Sequence, residues 1–378
     1  MKPAHRLSGI APSLIRQIYQ SAPEGAVNLG LGEINLPHPP EFTAAITTIL
    51  HSNVHRYTPN AGMPQLRQAV ASHHGIPSAD GVCITNGAEE ALYCTLMSYI
   101  NPGDEVLIAD PSFVAYETII KMAGGIPRRF ALPASHGFAL DAHSFAAAIS
   151  DATKLVLLCH PSNPTGVAFT PAEMQHITSL CRKHSTLLVV DEIYRKMYIT
   201  EPIPSFAEIA ADCIIVGGIS KSHGVTGWRL GWCYSAQPEL IAPVITTHQY
   251  VSTCAPAPSQ HLALWALSPQ GQQVTRQLRR QLAANRTTLV QALTSKLPAC
   301  NISPAAAHPY VLLHLPEVDD LALARHLATQ GVITVPGSAF GIQSKHWLRL
   351  TYALAPQQLA SGLEKLLNGI KNYQQKNI

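Results

Sequence analysis

The sequence predicts an α/β protein: a large domain with a mostly parallel seven-stranded sheet between helices, followed by a smaller α+β domain. Three observations predict it. Short apolar runs at 82–85, 105–109, 126–131, 154–159, 187–191, 213–217 and 230–234 are mostly continuous Val/Ile/Leu stretches, the pattern of strands covered on both faces. Helical patterns separate most of these runs, and that alternation favours a parallel sheet. At 378 residues the chain is also too long for one small core.

Element by element, residues 1–45 are rich in Pro and Gly and read as an arm that packs with the small domain. Residues 46–270 form the large domain and 271–378 the small one. The helix over 89–100 stops at Asn101-Pro102-Gly103, a strong breaker. A short helix over 145–149 follows Asp141, a candidate N-cap. The helix over 171–184 has Thr170 as cap, Pro171 at its first position and Glu173 close behind. After Gln237 the texture changes. A long amphipathic helix spans 270–297, followed by a strand at 310–315, a helix at 321–330, strands at 332–335 and 347–352, and a helix from Pro356. There is no internal repeat.

Composition excludes several classes. Hydrophobic residues make up 47% and charged residues 13%, so the chain can bury a large core. The 26 basic and 23 acidic side chains are dispersed, for a net charge of +3, which argues against a nucleic-acid partner. Eight cysteines form no CxxC pair and suit a reducing compartment. The first residues lack an apolar leader core, and no apolar stretch is long enough to span a bilayer. The expectation is a cytoplasmic protein with no membrane partner. The eighteen histidines include no HExxH, and His73-His74 lack a third ligand nearby, so no metal is expected.

The densest signal is the run from Ser220 to Gly231, where Lys221 follows an apolar strand in a Gly-rich loop. Taken alone, it is either an ordinary loop lysine or a nucleophilic amine beside a phosphate site. Arg229 can clamp a phosphate with paired hydrogen bonds, and Ser220 offers a hydroxyl to the same group. The SKxxGxxGxRxG pattern resembles the lysine segment of fold-type I pyridoxal-phosphate-dependent aminotransferases, the class I/II family.

The resemblance extends in order from about residue 27 to residue 355. It implies a PLP-dependent transferase-like fold and pyridoxal 5'-phosphate held as a Schiff base on Lys221. Asp191 and Tyr194, in Asp191-Glu192-Ile193-Tyr194, then pair with the pyridine nitrogen and the phenolic oxygen. Asn163, in Pro161-Ser162-Asn163-Pro164-Thr165-Gly166, donates to the same oxygen. Gly87 and Ala88 open a helix whose N–H groups suit a phosphate. Phe113 stacks on the ring, and Tyr57 reaches the phosphate of a neighbouring subunit, which implies a homodimer with shared sites. Arg349 holds the substrate carboxylate as a fork, with the backbone of Gly32 beside it. Without this context a loop carboxylate, a core aromatic and a plain helix start are adequate readings of Asp191, Phe113 and Gly87.

The implied activity is movement of an amino group between an L-amino acid and a 2-keto acid in two half-reactions. The same scaffold also carries β-lyase, cyclase and oxidase reactions, and, more remotely, non-catalytic effector-binding modules. Three departures stand out. Ile34-Asn35-Leu36 replaces the usual Pro-Asp-Phe, Gly218 replaces a hydroxyl residue three before the lysine, and 304–310 replaces the usual PxGAFY stretch. The last departure borders the substrate side of the small domain.

Overall fold

The computed structural model describes residues 4–376. Seven strands form the large sheet: β1 (Val82–Thr85), β2 (Glu105–Asp110), β3 (Ile126–Ala131), β4 (Thr153–Cys159), β5 (Leu187–Asp191), β6 (Cys213–Gly218) and β7 (Gly231–Tyr234). Their spatial order is β1-β7-β6-β5-β4-β2-β3. Only β7 runs against its neighbours, β1 and β6; the other pairs are parallel. All seven coincide with the apolar runs of the sequence to within a residue.

Alternation explains why those runs are continuous. Val156 and Leu158 of β4 enter the core on one face, and Leu155 and Leu157 enter the core on the other. The same split divides Leu188 and Val190 from Val189 in β5. Successive side chains point to opposite faces, so a strand covered twice has no polar face.

The helix starts follow local chemistry. Thr170 and Glu173 form a capping box on Pro171–Lys183. Asp141 accepts from the N–H groups of His143 and Ser144, so the helix begins at Ala142 and ends at Ala148, where Ile149 is extended. The expected 145–149 segment therefore starts too late, because the cap acts on the residues directly after it. The helices Pro40–Leu50, Pro64–His74 and Ala257–Ala266 each carry Pro in the first turn. In a chain with 29 prolines that start signal is easily lost among turns.

A second, four-stranded sheet comprises Asn301–Ile302, Tyr310–His314, Val335–Pro336 and Trp347–Thr351. The single strand expected over 332–335 is two. Val332–Ile333 pairs in parallel with Val27–Asn28, and Val335–Pro336 pairs antiparallel with Trp347–Thr351. The chain changes partners at Thr334, and the first partner lies far upstream. No helix among the described residues is long and apolar enough to cross a membrane.

Candidate active site

The C-terminal ends of β1, β2, β4, β5 and β6 lead into loops that meet at one edge of the sheet, where open α/β sheets place ligands. There a cleft of about 900 Å³ is lined by Gly32, Ala88, Phe113, Asn163, Asp191, Tyr194, Ser220, Lys221, Arg229 and Arg349. These come from segments far apart in the chain. Gly87 sits behind the wall. A Cβ there would lie 2.7 Å from Arg229 Nη2, and its φ of +87° is one that side chains rarely adopt. Tyr57 lies outside the cleft of its own chain and is 87% exposed.

Asp191 ends β5 and is buried. Tyr116 donates its hydroxyl to Oδ2 at 3.0 Å, and the Ile193 N–H donates to Oδ1 at 3.1 Å. Burial pushes its carboxyl up to about 6, against smaller lowering by those two donors and the Lys221 charge. No cation forms an ion pair with it among the described residues. Tyr194 is also buried. Its hydroxyl lies 3.0 Å from the Tyr310 hydroxyl, and burial, followed by Tyr310, raises its pKa well above the ordinary value.

Lys221 reaches into the cleft, where Nζ donates to the Gly32 carbonyl at 2.6 Å and stands 5.9 Å from the Tyr194 ring centre. A Cβ on Gly32 would collide with the Tyr310 hydroxyl. Arg229 adopts φ +51°, with Nη1 donating to Thr226 O at 3.0 Å and Nη2 to Asn86 O at 3.5 Å. Its guanidinium thus lies against the start of the helix Ala88–Tyr99.

Arg349, in the strand Trp347–Thr351, is buried among apolar neighbours. Nη1 donates to Asn163 Oδ1 at 2.8 Å and Nη2 to Gly30 O at 2.7 Å. Because arginine only donates, Asn163 Oδ1 is fixed as acceptor and its Nδ2 is the donor end. The guanidinium carbon lies 4.2 Å from the Tyr310 ring centre and 4.8 Å from that of Phe340. Its buried Nε has no partner.

Three contributors escaped the sequence reading. Tyr116 holds Asp191 from the first turn of a helix that begins just after Phe113. Tyr310 closes the divergent 304–310 stretch and touches both Tyr194 and Arg349. Glu89 also lines the cleft, beside Ala88. The spacing of Tyr116 one turn after Phe113 was the one available signal.

The cleft therefore presents a primary amine, an unpaired buried carboxyl, and cationic sites at Arg229 and Arg349. Such a set can bind an anion at each end, hold a cationic nitrogen at Asp191, and place an amine against a carbonyl carbon. Among the described residues no cluster of His, Cys, Asp and Glu suits a metal.

Residues 24–366 match the family profile described as aminotransferase class I and II. The chain is 31% identical to an aspartate aminotransferase of Geobacillus stearothermophilus over 394 residues, covering 97% of this chain and 98% of that one. Its structure superposes on N-succinyldiaminopimelate aminotransferase of Mycobacterium tuberculosis with a TM-score of 0.90 and 26% identity, covering 97% of this chain and 100% of the other. Thermus thermophilus aspartate aminotransferase with maleate gives a TM-score of 0.88 at 26% identity, over 98% and 100% of the two chains.

Proposed function

This chain belongs to the class I and II aminotransferases, pyridoxal-phosphate enzymes that move amino groups between amino acids and keto acids, and from that premise we propose which of its side chains do the work. The residues fit the cofactor. Asp191 is a buried carboxyl without a cation, and a protonated ring nitrogen would supply one. Gly87 leaves room for Arg229 at a helix start, where a phosphate is favoured by free N–H groups. When bound, pyridoxal phosphate supplies an aldehyde for amines and a ring that withdraws electrons from the substrate's Cα.

Arg229, Ser220 and the N–H groups at Gly87 and Ala88 hold the phosphate. Phe113 packs on the ring face, and Tyr194 and Asn163 Nδ2 donate to its phenolic oxygen. Arg349 holds the substrate carboxylate; its forked donors reorient from Gly30 O, and its unpartnered Nε gains an acceptor. Gly32 borders that carboxylate. Lys221 carries the cofactor at rest. With its amine free, Nζ would be placed to take the proton from the substrate's Cα, a positioned transfer worth roughly 100- to 10,000-fold. Tyr57, exposed on its own chain, reaches the phosphate of a second copy, so the working unit is a homodimer; eight free cysteines suit the reducing cytoplasm. Residues 1–45 act as an arm, 46–270 as the cofactor domain and 271–378 as the small domain.

The observation that carries this reading is the convergence of Lys221, Asp191, Tyr194, Asn163 and Arg349 on one cleft. The test is visible absorbance of the purified protein on addition of pooled amino acids without a keto acid. The band of the lysine-bound cofactor should give way to the amine form, and splitting the pool identifies the substrate. Lys221→Ala should abolish turnover with the fold intact; retained turnover refutes the assignment.

A further inference from the structure

A second pocket, of about 320 Å³, lies on the other side of the lysine loop. Part of its wall is the segment that flanks Lys221, at Gly217, Gly218, Ile219, Ser222 and His223. Ile193 lines both this pocket and the catalytic cleft.

Four cations line it: Arg195, Lys196, Arg276 and Arg279. The carboxylate among its lining residues is Glu192, which is already engaged. Glu192 accepts from Arg195 Nε at 2.8 Å, from the Ser205 hydroxyl and from the Phe206 N–H. Arg276 and Arg279 have no carboxylate partner among the described residues, and Arg279 lies 3.5 Å over the Tyr198 ring. Burial and then Arg195 lower the pKa of Lys196, as crowding of positive charge requires.

Two N–H donors there are also unspent. Trp232 is buried, and its Nε1 has no partner. Arg195 Nη2 lies 3.3 Å from His74 Nδ1, and the Tyr234 hydroxyl lies 3.0 Å from the same atom. Arginine can only donate, so Nδ1 is an acceptor and the proton of the neutral ring sits on Nε2. That Nε2–H is buried and unpartnered as well. The two rings are neighbours, 6.1 Å apart between centres. Unpaired buried donors beside unmatched cations are costly unless an acceptor completes them.

We propose that this pocket is a binding site for a compact polyanion bearing phosphate or carboxylate groups, held by Arg276, Arg279, Lys196 and the N–H groups of Trp232 and His74. An anion seated there braces the segment that carries Lys221 without entering the catalytic cleft.

The test is calorimetry on the holoenzyme with inorganic pyrophosphate and, separately, citrate, at a fixed chloride concentration. Pyrophosphate alone binding marks a phosphate ligand; citrate alone marks a polycarboxylate. The expected result is one saturable site per chain, weakened about 100-fold in R276Q/R279Q, about tenfold for each arginine. Ligand should quench tryptophan fluorescence in the parent protein and not in Trp232→Phe. Hydrogen exchange should slow over 217–223 in the parent protein, a readout that needs no variant to fold. The proposal is overturned by no saturable binding of either probe, by binding undiminished in R276Q/R279Q, or by unchanged exchange over 217–223. Binding seen only without pyridoxal phosphate, and lost on its addition, also overturns it, because it places the anion at Arg229.

Discussion

Replacing Asp191 by Asn should abolish the part of the cofactor-free protein's stability loss between acid and neutral pH that this carboxyl causes, while removing most activity. Burial pushes the Asp191 carboxyl up to about 6 in the folded chain, from an ordinary value of 3.8. Its folded value is raised, so the folded state binds more protons than the unfolded state between these limits. Stability is full below the lower value and is lost as pH rises through the upper one. The whole interval corresponds to roughly 3 kcal/mol, of which about 2 kcal/mol falls between pH 4.5 and 7.5. An amide at 191 does not titrate. Its fixed cost, from rearranging the Tyr116 and Ile193 hydrogen bonds, is the same at both pH values and cancels. Glu192, also raised by burial, titrates in both proteins and cancels too. The assay is urea unfolding of the cofactor-free protein at pH 4.5 and 7.5, at one protein concentration. The Asp191→Asn protein should gain about 2 kcal/mol relative to the parent between the two. Parallel pH dependence in both proteins refutes the claim that this carboxyl is buried without a counter-charge.

Other perturbations test other contacts. Tyr116→Phe removes one donor to Asp191 and should raise the Asp191 pKa further. A hydrogen bond to a charged group is worth roughly 1.5–3 kcal/mol, so the acid limb of the kcat/KM profile should move up by about one to two pH units. Arg349→Lys keeps the charge and loses the fork that meets Asn163 Oδ1 and Gly30 O; kcat/KM should fall at least about 100-fold with cofactor affinity unchanged, as read by steady-state kinetics and cofactor titration. Gly87→Ala puts a Cβ against Arg229 at a positive φ and should weaken pyridoxal phosphate binding about tenfold, measured by equilibrium dialysis. Tyr57→Phe should raise the dissociation constant of the cofactor severalfold, and mixing it with a Lys221→Ala chain should yield hybrid dimers with one intact site if sites are shared.

The sheet was legible because its strands are buried twice: runs such as Leu155–Cys159 allow no other economical placement. The cleft was legible for a different reason. Lys221 and Arg229 sit in one loop and Asp191 ends β5; each has an ordinary reading alone, and only their order along the chain, shared with a known family, singled them out. Tyr116 and Tyr310 were not legible on those grounds. A buried tyrosine in a helix or strand is ordinary core material, and only three-dimensional proximity to Asp191 or Arg349 gives it a role. The strand switch at Thr334 was hidden because pairing of Val27–Asn28 with Val332–Ile333 depends on which distant segment arrives, which local periodicity cannot encode.

Asp191 and Glu192 show how two adjacent buried carboxyls can differ in their partners. They are adjacent at the end of β5, both are buried, and burial pushes both up, to about 6 and about 7. Glu192 faces Arg195 Nε, the Ser205 hydroxyl and the Phe206 N–H, a complete set supplied by the protein. Asp191 has a tyrosine hydroxyl and one N–H, with no cation. On the far side of the cleft Arg349 shows the converse, a buried guanidinium with an open Nε and acceptors that are neutral amide and backbone oxygens. One chain thus leaves a negative and a positive group each short of its counterpart, in one cavity, with Lys221 in the same cleft. The two form no ion pair with each other, so each is open to a counterpart from outside the chain: on the proposed function, a cation at Asp191 and an anion at Arg349. A cofactor with a protonated ring nitrogen and a substrate carboxylate meet those two demands together.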